Sequence, residues 1–358
     1  MKVGILGLAA SGKSTLFHLL TGQRGDGAQS RRDAAQVGVA QVPDPRLVAL
    51  TRMYQPKKET PATVAYVDAP GVPEEHRREA AFNLPELRAA DVLMVVVRAF
   101  PDDTVPHPMG STDPLRDLRH IEEEFILQDH LVVEKRLERV RRDLAKRKVP
   151  ELVLELDLLE RCLGILEAER PLRSADFVPS DEKLLRGFTF LSFKPMLVVV
   201  NVGEDEIASD PFAGGTWKSW LGRPKTAFTR VCATLESELA ELDGADAEAF
   251  MEELGIHDCA LDRVIRESYR LLGLISFFTV GEDECRAWSV PSGTPAVEAG
   301  GVIHSDIQRG FIRAEVVPHD ELLEAGSLAA CRQRGTLRLE GKSYVVQDGE
   351  VVHFRFNV

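Results

Sequence analysis

The sequence predicts an α/β fold: a parallel sheet covered by helices, interrupted by a helical hairpin and followed by a small α+β module. Three observations carry this. Val92–Val97 and Met196–Val200 are continuous apolar runs, which suit strands buried on both faces of a parallel sheet. Between about Leu118 and Leu185 the apolar residues change to heptad spacing. From about Phe277 short alternating segments separated by glycines take over. The 358 residues exceed the usual size of one domain, so two or three are expected.

The net charge of −13 excludes broad nonspecific binding to nucleic acid while leaving room for a local basic patch, and no DNA specificity is expected. Five scattered cysteines without a C-x-x-C pair fit reduced thiols in a cytosol rather than a disulfide framework or zinc site. The N-terminus lacks a signal-peptide layout, and no apolar run is long enough to cross a bilayer. A soluble cytoplasmic protein with no membrane partner is the expectation.

Lys2 to Leu8 has the composition of a short buried strand, and Gly7-Leu8-Ala9-Ala10-Ser11-Gly12-Lys13-Ser14 follows at once. This is the G-x-x-x-x-G-K-[ST] phosphate loop. The helical pattern of Thr15-Leu16-Phe17-His18-Leu19-Leu20 completes the strand–loop–helix context that the motif requires. Gly7 and Gly12 permit the tight path that turns backbone N–H groups toward a phosphate. A helix starting near Lys13 adds its positive end, Lys13 can reach the β/γ-phosphates, and the Ser14 hydroxyl can ligate Mg²⁺. Gly7, Ala9, Ala10, Ser11, Gly12, Lys13, Ser14 and Thr15 are therefore the expected cradle of a nucleoside triphosphate.

The polar stretch Gly25 to Asp33 reads as a loop, and Val37–Val42 as a strand stopped by Pro43-Asp44-Pro45. Thr63–Val67 is a further strand, and it delivers Asp68-Ala69-Pro70-Gly71 at its end. An acid there can hold Mg²⁺ through water, and the Gly71 N–H can meet the γ-phosphate. Placed after a buried strand, D-x-x-G points to a GTPase-like switch rather than a small-molecule kinase, with Lys13, Asp68 and Gly71 as the catalytic set. Val72 stands where many GTPases carry a water-orienting glutamine, so hydrolysis should be slow. His76 is close in sequence but reads first as a surface histidine.

Val133, Leu137, Val140 and Leu144 follow a 4-3-4 spacing, and Leu152, Leu156, Leu159, Leu163 and Leu166 repeat it. Lys148-Val149-Pro150 separates the two runs, with Pro150 placed to start the second helix. An antiparallel helical hairpin is predicted, an arm inserted into the α/β domain. Its tip gathers Arg139, Arg141, Arg142, Lys146, Arg147 and Lys148. These cations could grip RNA phosphates, or form a solvated face with cations well placed near a helix C-terminus.

The base-reading site should follow Met196–Val200, where Asn201-Val202-Gly203-Glu204 stands. GTPases use Asn-Lys-x-Asp there, whose final carboxylate accepts two hydrogen bonds from guanine. Val202 and Glu204 replace the Lys and Asp, which weakens the case for guanine, while Asn201 could still address the purine. Cys232-Ala233-Thr234, after an apparent strand at Phe228–Val231, would back the base. In the last stretch Arg286–Val290, Ile312–Val316 and Val351–Phe356 read as strands and Asp320 to Ala330 as helical. Acidic residues outnumber basic ones there, so a partner would be read by shape or backbone.

The chain resembles the YchF / Obg-like ATPase family. The resemblance rests on Val42-Pro43-Asp44-Pro45-Arg46-Leu47, Asn201-Val202-Gly203-Glu204, Glu236-Ser237-Glu238-Leu239 and most of Leu271 to Val358, above all Gly301 to Asp306 and Arg309 to Glu315. It implies a P-loop NTPase (GTPase-like) domain over 1–117 and 189–275, with a coiled-coil helical insertion over 118–188. It also implies a C-terminal TGS domain of ubiquitin-like β-grasp form over 276–358. Binding of ATP in preference to GTP, slow Mg²⁺-dependent hydrolysis and association with the ribosome are implied as well. Three departures mark a divergent member. Ala10-Ser11 replaces Asn-Val in the loop. Ser30-Arg31-Arg32-Asp33-Ala34-Ala35 lacks the usual switch threonine. Val72 to Glu79 replaces a glycine-rich second switch. The rival reading is a nucleotide-binding protein that no longer hydrolyses or switches, and a third keeps GTP as the ligand.

Overall fold

A strand with no polar face must be covered on both sides, and Val92–Arg98 and Met196–Asn201 are buried at every position. The computed structural model describes residues 1–23, 35–69, 85–102, 104–147, 149–207, 209–256 and 258–357. The chain opens with β1 (Lys2–Leu6), α1 (Lys13–Thr21), β2 (Gln36–Gln41), α2 (Pro45–Tyr54), β3 (Lys58–Thr60) and β4 (Thr63–Asp68). Then come α3 (Pro85–Ala89), β5 (Val92–Arg98), the long α4 (Pro114–Lys146), α5 (Pro150–Glu167) and α6 (Pro179–Arg186). β6 (Met196–Asn201), β7 (Thr226–Val231), α7 (Ala233–Leu239), α8 (Gly244–Glu253) and α9 (Ala260–Leu271) follow. The C-terminal part holds β8 (Leu274–Thr279), β9 (Glu284–Pro291), α10 (Ala296–Ile303), α11 (Ser305–Arg309) and β10 (Phe311–Pro318). It ends with α12 (His319–Ala325), α13 (Leu328–Arg334), β11 (Arg338–Glu340) and β12 (Glu350–Phe356).

The first sheet has the order β2-β4-β1-β5-β6-β7, with β4, β1, β5, β6 and β7 parallel. The chain leaves β1 to one side for β2 and β4 and returns to the other for β5, β6 and β7. In such sheets a ligand crevice forms beyond the carboxyl ends, at the point where the order reverses. Register brings those ends level: Ile5 stands opposite Asp68, Leu6 opposite Val95, and Asn201 opposite both Arg98 and Val231.

The predicted arm forms as α4 and α5. Asp113 caps α4 by accepting the Arg116 N–H at 3.0 Å, and Pro114 and Pro150 occupy first-turn positions. Val133, Leu137 and Val140 face Leu159, Cys162 and Leu166 in one apolar cluster. Arg136–Glu155 and Arg141–Glu160 tie the two helices together from the side.

At the root of the arm lies a buried polar knot. The Asp129 carboxylate has no solvent exposure and accepts the Leu191 and Ser192 N–H groups at 2.9 and 2.7 Å. Burial pushes its carboxyl up to about 6, against the pull of those N–H groups and Arg88. Because that exceeds the ordinary unfolded value of about 4, the folded chain holds this proton more tightly between the two. The contribution is complete below about pH 4 and is lost as the pH rises through about 6, on the order of 3 kcal/mol. Urea unfolding from pH 4.5 to 7 should show the wild type losing stability relative to Asp129→Asn. Parallel pH curves for the two proteins would contradict this.

The chain divides into two compact units, residues 1–39 with 65–271, and residues 40–64 with 272–358. In the second unit the sheet order is β11-β10-β12-β8-β9-β3. α10 packs on one face over Phe277, Val290, Phe311, Ala314, Val316, Val352 and Phe354. The division differs from the sequence-based one at residues 40–64, which the linear pattern placed in 1–117. Long-range bonds explain it: Arg46 spans Asp44 and Asp348 at 2.8 and 2.7 Å, lies over the Phe278 ring, and β3 pairs with β9. The helix expected over Asp320 to Ala330 is two helices, broken at Gly326, whose φ of 79° ends α12. Among the described residues no helix is long and apolar enough to cross a membrane.

Candidate nucleotide site

The loop between β1 and α1 is shaped by what a side chain would hit. A Cβ at Gly7 would stand 2.5 Å from the Val96 carbonyl oxygen and 2.6 Å from Ser11 Oγ, so only glycine fits. Ala10 and Gly12 adopt φ of 61° and 90°, the left-handed turns that fold the loop back on itself. No side chain caps α1, so its first N–H groups remain available to an anion. Ser11 Oγ is buried without a hydrogen-bond partner.

Three predicted residues meet in front of this loop. Lys13 Nζ lies 3.2 Å from both Asp68 Oδ1 and Ser14 Oγ, and the Ser14 hydroxyl donates to Asp68 Oδ2 at 2.9 Å. The side chains of Lys13 and Asp68 are 19% and 10% exposed, so each charge depends on the other for compensation. The Ser14 hydroxyl and the Asp68 carboxylate set two oxygen donors side by side, the donor chemistry that Mg²⁺ takes, so the donor set fits the ion.

The base side differs from expectation. Asn201 is 3% exposed, and both ends of its amide are engaged. Its Nδ2 donates to the Ser11 carbonyl at 3.0 Å, and its Oδ1 accepts the Ala233 N–H at 3.1 Å. The side chain therefore clamps the phosphate loop to the start of α7, while each end of the amide keeps a second hydrogen or lone pair. Val202 is buried in the core and its N–H donates to Val231 O at 2.9 Å. Cys232 is buried too, and burial pushes its thiol up. Ala233 is buried, whereas Glu204 and Thr234 are exposed at the rim. Of the predicted base-side residues, only Glu204 and Thr234 are exposed.

Gly71, Val72, His76 and Ser30 to Ala34 lie outside the described residues, as does Lys148. Several arm-tip cations have carboxylate neighbours: Arg141–Glu160 at 2.8 Å, with Arg142–Glu138 and Lys146–Asp143 at 3.9 Å. Arg139 and Arg147 are exposed. Sequence reasoning missed His107. Its Nε2 lies 2.9 Å from Asp117, both side chains almost fully buried, and its Nδ1 accepts the Met109 N–H at 3.1 Å. This pair shares a small enclosed space with Ser11 behind the phosphate loop. An isolated histidine in a Pro-rich loop carries no motif by which to find it.

Comparison with known proteins agrees with this fold. A family model described as a 50S ribosome-binding GTPase matches residues 2–136. The C-terminal YchF family model, described as a protein of unknown function, matches 274–357. The ribosome-binding ATPase YchF of Bacillus subtilis is 42% identical, with 100% of both chains covered. The Pasteurella multocida protein of the same name is 37% identical, covering 100% of this chain and 99% of that one. The solved Schizosaccharomyces pombe YchF GTPase superposes with a TM-score of 0.85 at 28% identity, over 99% of this chain and 97% of the other.

Proposed function

The chain belongs to the YchF family, and we propose from that premise that it is a cytoplasmic, nucleotide-dependent regulator acting on the ribosome. It binds ATP ahead of GTP, with Mg²⁺, and hydrolyses it slowly. The observation that carries this reading is the convergence of Lys13, Ser14 and Asp68 before the phosphate loop. The ribosomal partner is supported by the names of its relatives.

Lys13 exchanges its bond with Asp68 for the β/γ-phosphate oxygens, while loop N–H groups and the start of α1 take the remaining charge. Ser14 and Asp68 would hold Mg²⁺, which would neutralise and orient the phosphates when bound. By its place in D-x-x-G, Gly71 is the residue whose N–H would meet the γ-phosphate. Glu204 and Thr234 address the base edge, and Asn201 acts at one remove by holding the loop. Val72 cannot orient water, so the site stabilises charge without positioning a nucleophile, and turnover stays low.

Titration calorimetry with Mg²⁺ should show ATP binding at least about tenfold tighter than GTP, a gap of about 1.4 kcal/mol. Equal or guanine-favouring affinities would remove the assignment of Glu204. Phosphate release should fall by about two orders of magnitude in Asp68→Asn, through loss of Mg²⁺ charge stabilisation. The absence of a threonine between Ser30 and Ala35 favours a second reading, a binder that does not turn over. Wild-type phosphate release no greater than that of Asp68→Asn would decide for it.

A further inference from the structure

We infer that the uncovered end of the C-terminal sheet is an RNA-docking surface on which Arg313, Arg332 and Arg355 hold phosphates of a ribosomal RNA strand. The inference rests on the ribosomal reading above and adds where the docking occurs.

β10 and β12 pair antiparallel with Arg313 directly opposite Arg355. Like charges facing each other across two strands are destabilising, so such a pair calls for a counter-charge. The carboxylate among these cross-strand neighbours is Glu315, only 7% exposed. It accepts from Arg355, and from Arg332 of α13 at 2.6 Å. The Arg313 side chain has no hydrogen bond or ion pair among the described residues. Its guanidinium stands beside Gly341, where a Cβ would be 3.4 Å away. The cross-strand neighbours of Glu315 are His353 and Leu339, both exposed and neither acidic.

Two guanidiniums thus share the Glu315 carboxylate and a third, Arg313, has none, leaving two uncompensated positive charges on a protein whose net charge is −13. Glu315, being buried, holds Arg332 and Arg355 in place from beneath, so their planar forks are ordered before any ligand arrives. Ordered guanidiniums lose less freedom on binding and match phosphate oxygens in pairs. By contrast, Arg141, Arg142 and Lys146 at the arm tip each have a carboxylate neighbour on the arm itself. What sets the sheet end apart is that its guanidiniums are held by a buried carboxylate, and a phosphodiester strand supplies the missing charge.

The test is co-sedimentation of full-length protein with ribosomes over a range of KCl concentrations, repeated with protein-stripped ribosomal RNA. Arg313→Ala/Arg355→Ala should lower affinity at least about tenfold near 0.15 M salt. It should flatten the slope of log K against log salt by about two, one unit for each phosphate that is no longer neutralised. Arg313→Ala alone should flatten it by about one. Because the Arg313 side chain has no internal partner among the described residues, the melting temperature of that variant should be unchanged or raised, and its ATP binding intact. Wild-type and double-variant binding that coincide at every salt concentration would overturn the surface and leave ribosome docking standing. Failure of the wild type to co-sediment would overturn the ribosomal reading and this inference with it. A loss seen on ribosomes but not on stripped RNA would also overturn the inference, since the occupant would then be a ribosomal protein.

Discussion

Gly12→Ala should reduce nucleotide affinity by about two to three orders of magnitude. A Cβ built at Gly12 falls on Asn201 Nδ2, closer than real Cβ atoms come, and the residue's φ of 90° is one that L side chains avoid. Asn201 must then withdraw, and its bonds to Ser11 O and Ala233 N are broken in a buried setting. Leaving those two backbone groups unsatisfied costs about 1–3 kcal/mol each. Backbone strain at position 12 adds about 1–2 kcal/mol. Together these span about 3–8 kcal/mol; the lower part of that range, about 3–5 kcal/mol, is expected on the loop conformation that binds phosphate, since the freed groups can re-pair in part, and each 1.4 kcal/mol is about tenfold in affinity. Calorimetry with ATP and Mg²⁺ measures it directly. The mechanism also predicts coupling: in an Asn201→Ala background, Gly12→Ala should cost clearly less than it does alone, because the clamp is already gone. Additive losses would show that strain at Gly12, and not the Asn201 clamp, shapes the loop.

Glu122→Gln should be the most destabilising single change at the root of the arm, by about 3–5 kcal/mol. Arg173 is 2% exposed and sits against Glu122, with the Ser192 carbonyl 3.3 Å from its Nη1. Burial lowers the Arg173 pKa, opposed chiefly by the Glu122 charge. Glu122 also receives Arg223 at 2.8 Å, but that guanidinium is about one-third exposed and can turn to water. Arg173 cannot. Removing the carboxylate charge strands a cation inside the protein, which is the costly half of breaking a buried pair. Replacing both partners with apolar residues of similar size, Glu122→Leu/Arg173→Met, should recover most of the loss. Urea unfolding of the three proteins is the measurement. A Glu122→Gln loss below about 1 kcal/mol, the ordinary range for surface changes, would mean the pair is not desolvated as its burial indicates.

Features that depend on neighbours within about a turn or a strand are legible in the residues alone. Gly7 to Ser14 announces itself because a phosphate loop needs glycines and a Lys-Ser pair at set spacing. Leu152 to Leu166 announces a helix packed along one stripe, and Val92–Val97 a strand covered on both faces. Asp68 is legible because its strand ends beside β1, a consequence of parallel α/β connection rules.

Features that mislead or stay hidden all depend on partners far apart in the chain. Asn201 looks like a base reader beside Glu204, yet its amide is engaged by Ser11 and Ala233, 190 and 32 residues away. Residues 40–64 look like part of the first domain, yet Arg46 bonds Asp348 across 302 positions. Arg313 and Arg355 become a pair only through the register of β10 on β12. The fold class, the phosphate loop with its metal-side acid, and the arm are written in the residues, since local backbone preference and periodic burial specify them. Which side chains hold the loop, where the units divide and where positive charge is left uncompensated are settled only in three dimensions. Those follow from strand register and the desolvation of polar groups brought together from distant positions.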